Sequence, residues 1–132
     1  GNIVGVLIVN QAFKFLIQRP RPDEALRLIE QGGYSFPSGH SMCSMAFYGF
    51  LVYLAFRYFE NAKIRWTATI SLGLLIVLIG FSRVYLGVHY ASDVLAGFLL
   101  TIAYLILYVA IVNFINYKTR QLAGKKTQKK RA

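Results

Sequence analysis

Only two histidines occur in the chain, and each stands where chemistry could use it. His89 and Asp93 are four residues apart in SRVYLGVHYASD, so a helix beginning near His89 puts both side chains on one face. A carboxylate so placed can bind one ring nitrogen, fix the tautomer and leave the other nitrogen to attack an electrophile. A structural hydrogen bond and a metal ligand pair are the other roles open to such a pair. Metal is not expected, because the hard cations that assist phosphoryl transfer take several carboxylate oxygens. The further acids on the same side, Asp23, Glu24 and Glu30, all belong to one amphipathic loop segment. The second histidine closes the stretch YSFPSGH. There Pro37 can open a turn, Gly39 lets backbone approach a ligand, and an apolar helix follows from Ser41. A helix start presents unpaired N–H groups and a positive dipole end, so Ser38 and Gly39 are candidates to cradle an anion. His40 brings a titratable proton to the same place, suited to a leaving oxygen. As a bare tetrapeptide PSGH equally fits a capped loop.

Three cations complete the set. Lys14, Arg21 and Arg83 map to the same side of the apolar stretches as the histidines, and charge at membrane depth is costly and marks function by default. Fixed cations around one point suit a phosphoryl group, whose oxygens must be neutralised during transfer, and arginine adds bidentate geometry that lysine lacks. For Lys14 taken alone, snorkelling to the interface is the simpler reading.

The elements that must position these residues are apolar. Of the 132 residues 56% are hydrophobic and 15% charged, against about 45–50% and about 25% in soluble domains. Four uncharged stretches stand out: Gly1 to Phe13, extendable past Lys14 to Ile17; Ser41 to Phe56; Trp66 to Ser82; and Val94 to Tyr117. They lack the polar face of a surface helix, and about 20 residues span a bilayer. The expectation is an all-α, polytopic transmembrane bundle with four spans in this chain. Its small residues Gly5, Gly49, Gly73, Gly80 and Gly97 would permit close helix packing. Between the first two stretches, Pro22, Asp23 and Glu24 predict the start of a short helix, with Gly32 and Gly33 as its stop. Ala25, Leu26, Leu28 and Ile29 would face the membrane surface.

Orientation follows from the basic residues. Arg57, Lys63 and Arg65 lie between the second and third stretches, and the tail from Lys118 holds seven basic residues and no acid. Both segments are expected on the cytoplasmic side, which puts the histidines on the other. The division expected is a transmembrane domain, 1–117, and a basic cytoplasmic tail, 118–132, acting as a disordered anchor to anionic lipid. No aromatic residue interleaves its lysines as in a single-strand binder, so nucleic acid is not an expected partner. Tyr58, Phe59, Trp66 and Tyr117 would form the inner aromatic belt, and Tyr34, Tyr85 and Tyr90 the outer one. The single Cys43 excludes an internal disulfide and is expected to pack as a small hydrophobe.

In order along the chain, Lys14, six residues, Arg21-Pro22; Pro37-Ser38-Gly39-His40; and Ser82-Arg83, five residues, His89, three residues, Asp93 resemble the three-part signature of the type 2 phosphatidic acid phosphatase superfamily. That family includes membrane lipid phosphatases and, more distantly, soluble vanadium haloperoxidases. The resemblance implies that His89 is a nucleophile forming a phosphohistidine, Asp93 its orienting partner, and His40 the acid for the leaving group. It implies phosphate binding by Lys14, Arg21, Ser38, Gly39 and Arg83, and catalysis without metal or other cofactor. Membrane members usually have six helices, so two more are expected before Gly1. The implied substrate is a lipid phosphate: phosphatidylglycerol phosphate first, with undecaprenyl pyrophosphate as the alternative. An inactive lipid-binding or scaffold protein is the contrasting class, and it has no need to keep His40, His89 and Asp93 together.

Overall fold

A computed structural model describes residues 1–129 of the chain. Four α-helices are formed among them: α1 (Asn2–Ile17), α2 (Gly39–Tyr58), α3 (Ala62–Tyr85) and α4 (Ala91–Lys129), with one turn of 3-10 helix at Glu24–Leu26. The described residues contain no strand. Three segments have the length and hydropathy to cross a membrane, Gly39–Tyr58, Ala62–Tyr85 and Ala91–Leu122. The 24 residues of α3 rise about 36 Å, enough to span hydrocarbon with some tilt. Helix α1, with 16 residues, falls short of the usual span.

The core sits where α1, α2 and α4 meet. Val6, Met42 and Ala46 are fully enclosed, with Ile3, Val9, Leu100 and Tyr104 packed around them. Outward from this core the bundle stays apolar: Leu74, Val77, Leu78 and Phe81 of α3 are all exposed. A continuous apolar surface of this kind is what lipid, rather than water, accommodates.

Local chemistry sets the helix ends and shifts several expected boundaries. Ser38 caps α2, its Oγ accepting from the Ser41 N–H, so the helix starts at Gly39 rather than Ser41. Asn61 caps α3 by accepting from Lys63 and Ile64, which starts that helix four residues ahead of Trp66. Helix α4 starts at Ala91, and Asp93 in its first turn reaches back to the Tyr90 N–H at 3.0 Å, the reciprocal bond of a capping box. At its other end α4 does not stop at Tyr117. It continues to Lys129, so the expected disordered tail is helical over its described part; residues 130–132 lie outside the described residues. Lysine, arginine, glutamine, leucine and alanine, all good helix formers, dominate this segment and outweigh its one glycine, Gly124.

The loop between α1 and α2 departs most from expectation. Its helix is only three residues long, capped by Asp23. The reason is tertiary: Arg27 turns extended, its Nε–H donates to the Pro22 carbonyl at 2.8 Å, and the Leu28 N–H bonds the Leu86 carbonyl at 3.0 Å. The loop is thereby laid on the α3–α4 turn. Gly87 makes that possible, with φ +68 and with the Leu26 carbonyl oxygen only 2.2 Å from where a Cβ would stand. Ala25, Leu26, Leu28 and Ile29 remain exposed, as the membrane-surface reading requires.

Candidate active site

His89 lies in the turn between α3 and α4 and is 2% exposed. Its Nδ1 stands 3.6 Å from Asp93 Oδ2 and 3.5 Å from Ser35 Oγ, and its Nε2 is 3.3 Å from Arg21 Nη1. Arginine can only donate, so Nε2 accepts and the ring proton belongs on Nδ1. Burial pushes the His89 pKa down to about 4, the Arg21 and Lys14 cations push the same way, and Asp93 and a hydrogen bond with the Ser35 main chain oppose them. At neutral pH the ring is uncharged, and its Nε2 lone pair faces Arg21.

Asp93 is fully buried and well supplied with donors. Arg19 Nη1 donates to Oδ1 at 2.8 Å, the Tyr90 N–H to Oδ2 at 3.0 Å, and the Ser35 hydroxyl to Oδ2. Its carbonyl accepts from the Ser38 N–H at 3.1 Å, tying the start of α4 to the start of α2. Close approach there depends on Gly97, whose Cβ would come within 3.2 Å of the Ser38 carbonyl oxygen.

The cations are held by backbone carbonyls. Arg21 donates to Gly32, Gly33 and Val88 oxygens at 2.8 to 3.2 Å, and Lys14 Nζ donates to the Tyr34 carbonyl. Asn10, buried one turn before Lys14 on α1, donates to the Pro37 carbonyl at 3.3 Å and so fixes the loop entering α2. An open cavity of about 280 Å³ results, lined by Leu7, Lys14, Arg21, Gln31, Gly39, His40, Cys43 and His89. A second hollow, of about 290 Å³, shares His40 and Cys43 and runs past Phe47 and Ile79. A larger hollow of about 500 Å³ lies along residues Glu24 to Gly32, and neither histidine reaches it.

The structure therefore brings Lys14, Arg21, Gly39, His40 and His89 around one space, with Asp93 behind His89. Ser38 is buried out of the lining: its N–H is bonded to Asp93, and its Oγ accepts from Ser41 as the cap of α2. Arg83 stands in the last turn of α3, outside the lining, its Nε–H directed to Ser82 Oγ at 3.2 Å. Half-buried Cys43 packs against the Val6, Met42 and Ala46 core, as expected of a small hydrophobe, and it also lines the cavity. Three residues escaped the sequence reading: Arg19, Ser35 and Asn10. Arg19 sits in the RPRP run beside Arg21 and Ser35 next to PSGH, so adjacency was the one available signal; Asn10 showed only as a polar residue in an apolar stretch. Among the described residues, no three of His, Cys, Asp and Glu gather as a metal would need.

Fold and site together define a helical bundle of membrane type that opens a cation-lined cavity beside a neutral histidine backed by a carboxylate. The model of the PAP2 superfamily matches residues 2–117, and the chain belongs to that superfamily. It is 41% identical to phosphatidylglycerophosphatase B of Bacillus subtilis (strain 168) over 92 residues, which is 69% of this chain and 45% of that protein. To sphingosine-1-phosphate phosphatase 1 of Rattus norvegicus it is 32% identical over 120 residues, 84% of this chain and 26% of that one. A crystal structure described as the first transmembrane PAP2 type phosphatidylglycerolphosphate phosphatase, from Bacillus subtilis, superposes with a TM-score of 0.76 at 35% identity. It covers 86% of this chain and 56% of its own. The chain thus spans from about a quarter to just over half the length of these relatives.

Proposed function

We propose that this chain carries the catalytic centre of a membrane lipid phosphatase that works through a phosphohistidine on His89. The observation that carries the reading is the placement of the neutral His89 Nε2 on a cavity shared with Lys14, Arg21, Gly39 and His40. Lys14 and Arg21 hold the phosphoryl oxygens and neutralise charge as it moves. Nε2 attacks phosphorus, the bond from phosphorus to the lipid oxygen breaks, and His40, in the fraction of molecules where it carries a proton, gives it to that oxygen. His40, now neutral, takes a proton from water, the resulting hydroxide attacks phosphorus, the P–N bond breaks, and inorganic phosphate leaves. Ser38 serves by tying α2 to Asp93, and Arg83 supplies positive charge at the cavity's edge.

The relatives that are phosphatidylglycerophosphatases favour phosphatidylglycerol phosphate as substrate, and the hollow running on past Phe47 gives its lipid part a path toward the bilayer. The active site faces away from the cytoplasm, and the basic end of α4 lies in it. The test is phosphate release by the full-length protein in EDTA, from phosphatidylglycerol phosphate and undecaprenyl pyrophosphate side by side, with His89→Ala as control. Faster release from the first, lost in the variant, is expected. Preference for the pyrophosphate would reassign the substrate, and turnover by His89→Ala would remove it as nucleophile.

A further inference from the structure

His89 Nδ1 and Asp93 Oδ2 stand 3.6 Å apart, and a third residue lies against both, its hydroxyl oxygen 3.5 Å from the same nitrogen. Ser35 is fully buried, and its hydroxyl reaches Asp93 Oδ2 and His89 Nδ1. A carboxylate only accepts, so the single hydroxyl proton points at Asp93 and the serine lone pairs face the ring. The ring proton on Nδ1 then has Ser35 as a partner, through its hydroxyl oxygen at 3.5 Å and through its main chain, with Asp93 Oδ2 at 3.6 Å behind. Arg19 closes the arrangement from the other side. Its carbonyl accepts from the Ser35 N–H at 2.8 Å while its Nη1 donates to Asp93 Oδ1 at 2.8 Å. The same nitrogen reaches Ser92 Oγ at 2.8 Å, and the guanidinium lies over the Tyr90 ring at 4.1 Å. Arg19, Ser35 and Asp93 form a closed ring of three contacts, drawn from the two ends of the loop between α1 and α2 and from the first turn of α4.

We propose that Ser35 and Arg19 are positioning residues for phosphoryl transfer, Ser35 coupling Asp93 to the His89 ring through its hydroxyl and Arg19 holding the carboxylate so that Oδ2 faces that hydroxyl. Attack by Nε2 leaves positive charge on the imidazole, and the bridge brings the buried carboxylate's charge to bear on it. Arg19 stops the carboxylate from turning. The inference rests on reading His89 as the nucleophile. A ring that merely stapled loop to helix would not need a hydroxyl facing Nδ1 of that residue.

The experiment uses full-length protein labelled with ¹⁵N-histidine, in which His40→Gln and His89→Gln assign the imidazole signals of these two residues. Wild type should show His89 as the Nδ1–H tautomer. In Ser35→Ala that tautomer should persist, because Arg21 still faces Nε2, while the Nδ1–H proton resonance should shift upfield, and kcat should fall roughly tenfold to a hundredfold with KM little changed. Ser35→Thr, which keeps the hydroxyl, should restore both. Arg19→Gln should lower kcat similarly and raise the His89 pKa, since Asp93 loses the cation that offsets it. An unmoved Nδ1–H resonance with wild-type kcat in Ser35→Ala would overturn the proposal, as would activity lost only in step with unfolding and not recovered by threonine. The resonance is read without turnover, so its outcome is separate from that of the His89→Ala control, which judges the nucleophile.

Discussion

Lowering the pH from 7 to 5 should leave His89 in its reactive form. The ring's pKa is about 4 in the fold against 6.5 for an ordinary histidine. At pH 5 a pKa of about 4 leaves roughly 90% of the ring neutral, whereas 6.5 would leave roughly 3%, a thirtyfold difference in competent nucleophile. A phosphate substrate has its own ionisation near pH ~6, so the cleaner assay is ¹⁵N-histidine titration of the substrate-free protein, followed by the rate profile. The sign carries over to stability. The folded pKa lies below the unfolded one, so between about 6.5 and about 4 the unfolded chain binds more protons. His89's contribution is fully present above that window and lost as the pH falls through it, by about 3 kcal/mol from a shift of this size. Lys14→Gln removes one of the cations that hold the pKa down and should move the titration toward 6.5. A wild-type midpoint near 6.5, or no change in Lys14→Gln, would refute the electrostatic account of the nucleophile.

Asp93→Asn replaces an acceptor with a donor where three donors converge, leaving a buried donor unpaired at a cost of roughly 1–3 kcal/mol. Thermal unfolding in detergent should drop by several degrees and kcat should fall, so an unchanged midpoint would deny those bonds. Arg19 is about a third exposed and regains water, so loss of its charge partner adds little to that cost. Gly87→Ala forces a Cβ against the Leu26 carbonyl at a positive φ; it should destabilise by roughly 1–2 kcal/mol and displace the loop that carries Arg21, raising KM, and wild-type values of both would show the turn to be pliable. Asn10→Leu removes the bond to Pro37 and should reduce kcat/KM several-fold for a loss of about 1 kcal/mol, with full activity indicating that the loop holds itself.

Helix existence was legible because a bilayer demands long uncharged runs, and that demand is written into composition. Helix ends were less so: the caps at Ser38, Asn61 and Asp93 extend each apolar run by two to four residues, and the pattern of apolar residues is blind to a cap. The loop helix failed for a different reason. Pro22, Asp23 and Glu24 do start a helix, and Leu28 ends it by bonding to Leu86, 58 residues onward, a competition between local and distant partners that no local spacing records.

The site divides along the same line. Lys14, Arg21, His40 and His89 could be picked out because a charged or titratable group in an apolar chain is expensive and needs a reason. Arg19 and Ser35 were passed over, Arg19 for its place beside a better-spaced arginine and Ser35 for being a small polar residue in a loop. Yet the carboxylate behind His89 is reached through them. Groups that meet the substrate must carry charge or a mobile proton, which marks them in any sequence. Groups that only orient another side chain need one hydrogen bond at the right place, and that requirement is met by position in three dimensions, which α1, the loop and α4 acquire only once they are packed together.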